Sequence, residues 1–182
     1  MADEPSYPRK LKHIARDIGR LIWCAVGAAT GIGLVLHFVD PPPFHLLLAS
    51  LGGSAVFLFG LTRAPAAQPR ALFGGHLGGA LIGILCAQAF GSAPWVYIVA
   101  VVLTLIFMLI TKTVHPPAGA NPLIMVHAHA DLFALWQPVG LSVIVLALVA
   151  AVWSRIGPRM VHYPNKWLDK SPPSVLWGGW LE

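Results

Sequence analysis

Long apolar runs alternate along this chain with short breaks rich in proline and glycine. Five runs, at 18–39, 44–61, 74–91, 95–113 and 135–155, approach the ~20 residues that a bilayer's hydrocarbon core demands of a helix. A sixth, 121–132, opens apolar with Pro122 to Val126 but is too short to cross as regular helix. The breaks are "DPPP" at 40–43, "GSAP" at 91–94 and "TVHPPAGANP" at 113–122. This pattern predicts an all-α, polytopic membrane helix bundle.

Composition agrees and narrows the class. Hydrophobic residues make up 57% of the 182 and charged residues 10%, against roughly a quarter charged in an average soluble domain. One membrane domain, 18–156, is expected between a basic N-terminal segment, 1–17, and a cytoplasmic or interfacial tail, 157–182. The net charge is +5, and the basic residues gather in the tails and in two short internal stretches, at 63–70 and 112. It points to membrane flanks and a lipid bilayer as partner, not to nucleic acid. Cys24 and Cys86 lie in apolar runs and read as reduced, packed side chains. A cleaved signal peptide is not expected, because a polar stretch precedes the first apolar run.

The basic residues also set the threading. Arg9, Lys10, Lys12, Arg16 and Arg20 place the N-terminus inside. If 118–132 carries the chain outward, then Arg63, Arg70, Lys112, Arg155, Arg159, Lys166 and Lys170 all fall on that same side. Were 44–61 and 118–132 both re-entrant, Arg63, Arg70 and Lys112 would lie outside. Six segments with both termini cytoplasmic are therefore expected. Two halves emerge, 18–91 and 94–156, and each breaks after its first helix. Val39-Asp40-Pro41-Pro42 matches Val114-His115-Pro116-Pro117. Three segments per half make the repeat inverted, as in transporters whose sites lie where broken helices meet. Two coincidental proline turns are the alternative.

Several polar residues fall inside apolar sequence. Asn121 before Pro122 fits an N-cap and first helical position, which would aim free N–H groups back at His115–Gly119. Pro116 and Pro117 keep that approach irregular. Ser50, Gly52, Gly53 and Ser54 either unwind their segment towards a substrate or let helices approach closely. Gly75, Gly79 and Gly83 form a small-residue contact face, with His76 beside it and Gln68, Pro69 and Arg70 leading into it. Thr104, Thr111 and His115 share a face if the fourth helix extends that far, although such threonines often bond their own helix. His127, His129 and Asp131 point in different directions on a helix, so a metal site is not expected. Nothing resembles a nucleophile–base pair, a phosphate loop or paired carboxylates. An enzyme activity and a cofactor are thus not expected.

Together, "ASLGGSAVFLFG", "APAAQPRALFGGHLGGALIG", "DPPP" and "TVHPPAGANPLIMV" resemble the HPP family of bacterial and plastid membrane proteins, named for its His-Pro-Pro motif. The likeness spans about 18–155, and the tails carry no part of it. Members are small integral membrane proteins, usually described with four membrane helices, and some are nitrite transporters. The resemblance implies transport of a small inorganic anion, nitrite first, in a bacterial inner membrane. Ser50, Ser54, Asn121 and the histidines would replace water around the anion. Two other readings stay open. One is a non-transporting sensor or partner-binding subunit, with Trp167, Trp177 and Trp180 as contact surface or interfacial anchors. The other is a channel for a neutral solute. Glycine faces also favour a homo-oligomer.

Overall fold

Proline and glycine punctuation sets the helix ends. The computed structural model describes residues 7–39, 47–157 and 160–174, all the described regular elements being helical. Helix α1 runs Tyr7–Val39, α2 Leu47–Ala55, α3 Pro69–Phe90, α4 Pro94–Thr111, α5 Asn121–His127 and α6 Leu141–Ile156. Pro69 and Pro94 start α3 and α4, where a missing N–H loses no helical bond. Gly91, at φ +76°, ends α3 in a conformation that side chains resist. Lys112 takes the left-handed conformation at φ 55° and stops α4 before His115. The expected Thr104–Thr111–His115 stripe is therefore corrected: these residues do not share one helix face, and Thr111 donates to the Phe107 carbonyl of its own helix.

Four helices are long and apolar enough to cross a membrane: His13–Val39, Pro69–Phe90, Pro94–Thr111 and Leu132–Ile156. The run at 44–61 falls short of a fifth. It folds as α2 and a wider π-helical turn, Val56–Gly60, about 20 Å in all at helical rise. Helix α1 is continuous from Tyr7, so it takes in part of the basic N-terminal segment. Asp40, Pro41 and Pro42 lie outside the described residues, as do Arg159, Trp177 and Trp180.

The His-Pro-Pro segment is not a surface turn. Thr113 to His115 are extended, Pro116–Ala120 is a 3-10 turn and α5 follows. Beside α3 this path advances from Gly74 to Cys86, about 18 Å at helical rise, short of the ~30 Å of a hydrocarbon core. It runs alongside α3, from Thr113 against Gly74 to Met125 against Gly83. Its far end, Val126, packs with Cys86 and with Val96 near the start of α4.

Elsewhere α1 lies along α6 and α3 along α4; exchanging the two halves of the chain turns one pair into the other. Trp23 and Trp153 stack at 4.5 Å between α1 and α6, and the Trp153 indole donates to the Trp23 carbonyl. The short segments of the two halves meet in the middle. There the Ser50 hydroxyl donates to the Pro117 carbonyl at 2.8 Å. Leu51, Leu72, Ile84, Met125 and Leu146 fill the core around this junction.

Arg70, Lys112 and the tail gather at one end of the bundle. The Arg70 guanidinium donates to the Thr111 carbonyl at 2.8 Å and its backbone N–H to Trp167. The tail is tied down further on: Ser171 N–H donates to Lys112 O, and Val114 N–H to Ser171 O.

Candidate functional site

Ser50 and Ser54 stand one turn apart on α2, so both face the same neighbours. His76 reaches them from α3, His115 from the extended strand after α4, and Asn121 from the first turn of α5. All five side chains are buried, His76, His115, Ser54 and Asn121 completely. Their hydrogen bonds form one network. Ser54 Oγ lies 2.8 Å from Nε2 of both histidines and 3.0 Å from the Ser50 carbonyl. Asn121 Nδ2 is 3.0 Å from both the ring Nδ1 and the backbone oxygen of His76. His115 Nδ1 meets the Ala66 carbonyl at 2.6 Å. The imidazole rings sit 5.1 Å apart, with Phe57 5.5 Å from His115.

Glycines make this closeness possible. A Cβ on Gly83 would fall 2.6 Å from Pro122 Cα, and one on Gly79 3.0 Å from the Ala118 carbonyl. On Gly75 it would meet the His115 Cβ at 3.0 Å. The contact face expected at these positions thus receives the His-Pro-Pro segment itself. Gly53 does the same for Pro117.

Two local expectations need correction. Ser50 to Ser54 are regular α-helix, and the helix widens only from Val56. Gly52 has open space around it and lines a groove against α1 instead of the polar network. Asn121 does not cap α5; Ala120 occupies that position and Asn121 spends its amide on His76. Nor are all the N–H groups leading into α5 free. Pro116 and Pro117 have none, Ala118 N–H bonds His115 O, and Asn121 N–H bonds Ala118 O. The 3-10 turn has used them. Gly119 is half-buried and uncrowded, and Pro116 is exposed.

Gln68 carries a role that no sequence signal assigned. Its Nε2 donates to the Thr62 and Ala64 carbonyls, and its Oε1 accepts from Asn165 and Lys166 N–H. This clamp fixes the loop bearing Ala66 to the tail, and Ser171 fixes the residue next to His115. The tail also buries Tyr163, whose phenol is pushed above its ordinary titration range by desolvation.

Two clefts flank the network. One of about 510 Å³ opens at the end holding the tail, lined by Arg20, Cys24, Phe59, Thr62, Arg63 and Met160. The other, about 310 Å³, lies at the opposite end, between Ala49, Tyr97, Ala120, Leu123, Ile124 and His127. Asn121 Oδ1 and Thr104 Oγ1 are buried without a hydrogen-bond partner. His127 and His129 are exposed, and Asp131 caps the turn at Phe133. Among the described residues no three His, Cys, Asp or Glu groups gather as metal ligands.

A family model described as "HPP, transmembrane region" matches residues 14–164. It reaches past the 155 expected from the motifs, into the tail. A transmembrane protein of Dictyostelium discoideum is 29% identical, covering 83% of this chain and 57% of the relative. A second from the same organism is 32% identical, covering 85% and 53%. The chain therefore spans little more than half the length of these relatives. No solved structure matches.

Proposed function

Since the chain belongs to the HPP family of transmembrane proteins, we propose that it carries a small inorganic anion, nitrite first, across a lipid bilayer. The observation behind this reading is the buried node of His76, His115, Ser54, Ser50 and Asn121, set where two interrupted segments meet. Interrupted helices at mid-membrane are how transporters expose polar groups without a wet channel. The node is rich in N–H and O–H donors, and no Asp or Glu occurs anywhere between 41 and 130. No Asp or Glu side chain opposes an anion there, and the donors, paired with one another in this structure, turn to an anion as the node opens.

Two clefts open at opposite ends of the bundle, and neither is lined by a node residue. Arg20 and Arg63 line the mouth nearer the tail and raise the local concentration of anions. In this structure the node is closed from both, which fits an occluded state between two openings. We place the basic end in the cytoplasm, by the positive-inside rule.

Uptake of labelled nitrite, nitrate and formate by proteoliposomes tests the reading. Saturable uptake of at least one anion is expected. No uptake above empty liposomes for any of them would sink it.

A further inference from the structure

The neighbours of each nitrogen in the node dictate where protons sit, and they leave a seat for one extra. Resting on the anion-transport reading, we propose that the protein is an electroneutral proton–anion symporter. One proton rides on His115 for each monovalent anion, and the Ser54 hydroxyl turns to seat it.

Asn121 Nδ2 faces the His76 carbonyl at 3.0 Å, which requires an N–H there; the reversed amide would set oxygen against oxygen. The same nitrogen then donates to His76 Nδ1, also at 3.0 Å. His76 Nδ1 must keep its lone pair, so the ring's proton is on Nε2 and is donated to Ser54 Oγ at 2.8 Å. At the other end, the Ala66 carbonyl at 2.6 Å requires a proton on His115 Nδ1. What stays undetermined is His115 Nε2 and the single hydroxyl proton of Ser54.

In the neutral node that hydroxyl proton is contested between the Ser50 carbonyl and His115 Nε2. Adding one proton resolves the contest. His115 Nε2–H donates to Ser54 Oγ, the hydroxyl turns to Ser50 O, and Oγ then accepts two bonds and gives one, its full capacity. His76 cannot take this proton, because Nδ1–H would point at the Asn121 amide donor.

Among the described residues no carboxylate is hydrogen-bonded to the node to balance the resulting charge. Against His115 lie Ser54 and Phe57 from the α2 segment, His76 and Gly75 from α3, Ala66 from the loop, and Thr113 from its own strand. Arg63, Arg70 and Lys112 at the tail end of the bundle are cations, and the tail that pairs with Lys112 and Val114 through Ser171 carries Asp169 and Lys170. Burying a lone imidazolium is costly, and so is burying a lone anion. Arriving together, they neutralise each other. Over one cycle a proton and an anion leave one side and reach the other, and Ser54 recovers its own proton.

The test is initial-rate uptake of labelled nitrite by proteoliposomes, corrected for empty liposomes, with pH gradient and membrane potential varied separately. One proton per anion supports a limiting accumulation of about 100-fold for an inward gradient of two pH units, each unit being ~1.36 kcal/mol. The corrected rate should rise steeply with the inward gradient and ignore a valinomycin-set potential. In His115→Gln and Ser54→Ala the ratio of rates with and without the gradient should fall to about one. A wild-type rate that follows potential and ignores the gradient overturns the inference, as does a His115→Gln protein with the wild-type ratio. Absence of all uptake overturns the anion reading instead. Nitrogen NMR on histidine-labelled protein then still judges the seat: His76 should stay in the Nε2–H form at every pH while His115 gains the second proton. The reverse assignment overturns it.

Discussion

Replacing Gly83 by alanine should destabilise the protein, although the same change in an uncrowded helix stabilises it. The added methyl would sit 2.6 Å from Pro122 Cα, 2.7 Å from its carbonyl oxygen and 3.0 Å from Met125 Cβ. Comfortable separations are ~3.5–4.0 Å, and two of these neighbours are backbone, so α3 and α5 must part by roughly 1 Å. Overfilling of this kind costs about 3 kcal/mol at the upper end of its range. Alanine's better helix propensity returns about 1 kcal/mol. The net loss is about 2 kcal/mol, a fall of roughly 4–8 °C in melting temperature for a chain of this length. Gly33→Ala is the control, since nothing lies within 4 Å of it and it is exposed on α1. It should hold or gain stability. A thiol-reactive fluorogenic dye reads both melts in detergent, because Cys24 and the buried Cys86 are free. Cys86 lies one turn beyond Gly83, so it reports on this contact as it opens. A Gly83→Ala protein that melts at or above wild type, with Gly33→Ala behaving as stated, would refute the close α3–α5 contact.

Further expectations follow from other parts of the node and its frame. Gln68→Ala removes four hydrogen bonds and should cost about 2–4 kcal/mol, since buried donors and acceptors are left unpaired; limited proteolysis should then cut the tail at 160–171, and an uncut tail would refute the clamp. Ser54→Ala strands an N–H of His76 and should cost about 1–3 kcal/mol, read by the same dye melt. Single cysteines at Arg63 and Lys170, in a chain lacking Cys24 and Cys86, should label with an impermeant reagent from one side of oriented vesicles. Those at Ser92 and His129 should label from the other. If Arg63 and Lys170 label from opposite sides, or Ser92 and His129 do, the six-crossing path is wrong.

The long helices were legible because a bilayer imposes its thickness on sequence as ~20-residue apolar runs. The six-crossing path rests on charge instead, since Lys112 and Arg155 fall on one side only if the chain goes out and back between them. Residue roles were harder to read. Asn121 before Pro122 satisfies a local capping rule, yet His76, 45 positions earlier, claims its amide; no local pattern records that. Ser50, Ser54, His76 and His115 stood out as polar groups inside apolar sequence, and burial of polar groups forces them to find one another. Ala66 gave no signal, because what it contributes is a backbone carbonyl. The tail's grip on Gln68 and Val114 was hidden for the same reason: most of its bonds come from N–H and C=O groups that every residue owns.

That grip has a consequence for how the protein is made. His76 enters the bilayer with α3, before its partners Asn121 and His115 have been synthesised. The strand carrying His115 gains its last tie when Ser171, 57 residues beyond Val114, arrives to accept the Val114 N–H. Insertion helix by helix therefore leaves His76 with Ser54 but without the Asn121 amide for the next 45 residues of synthesis, and lipid offers its Nδ1 no replacement donor. The polar centre is the last part to mature, and a chain halted before residue 171 would span the membrane with its centre unfinished.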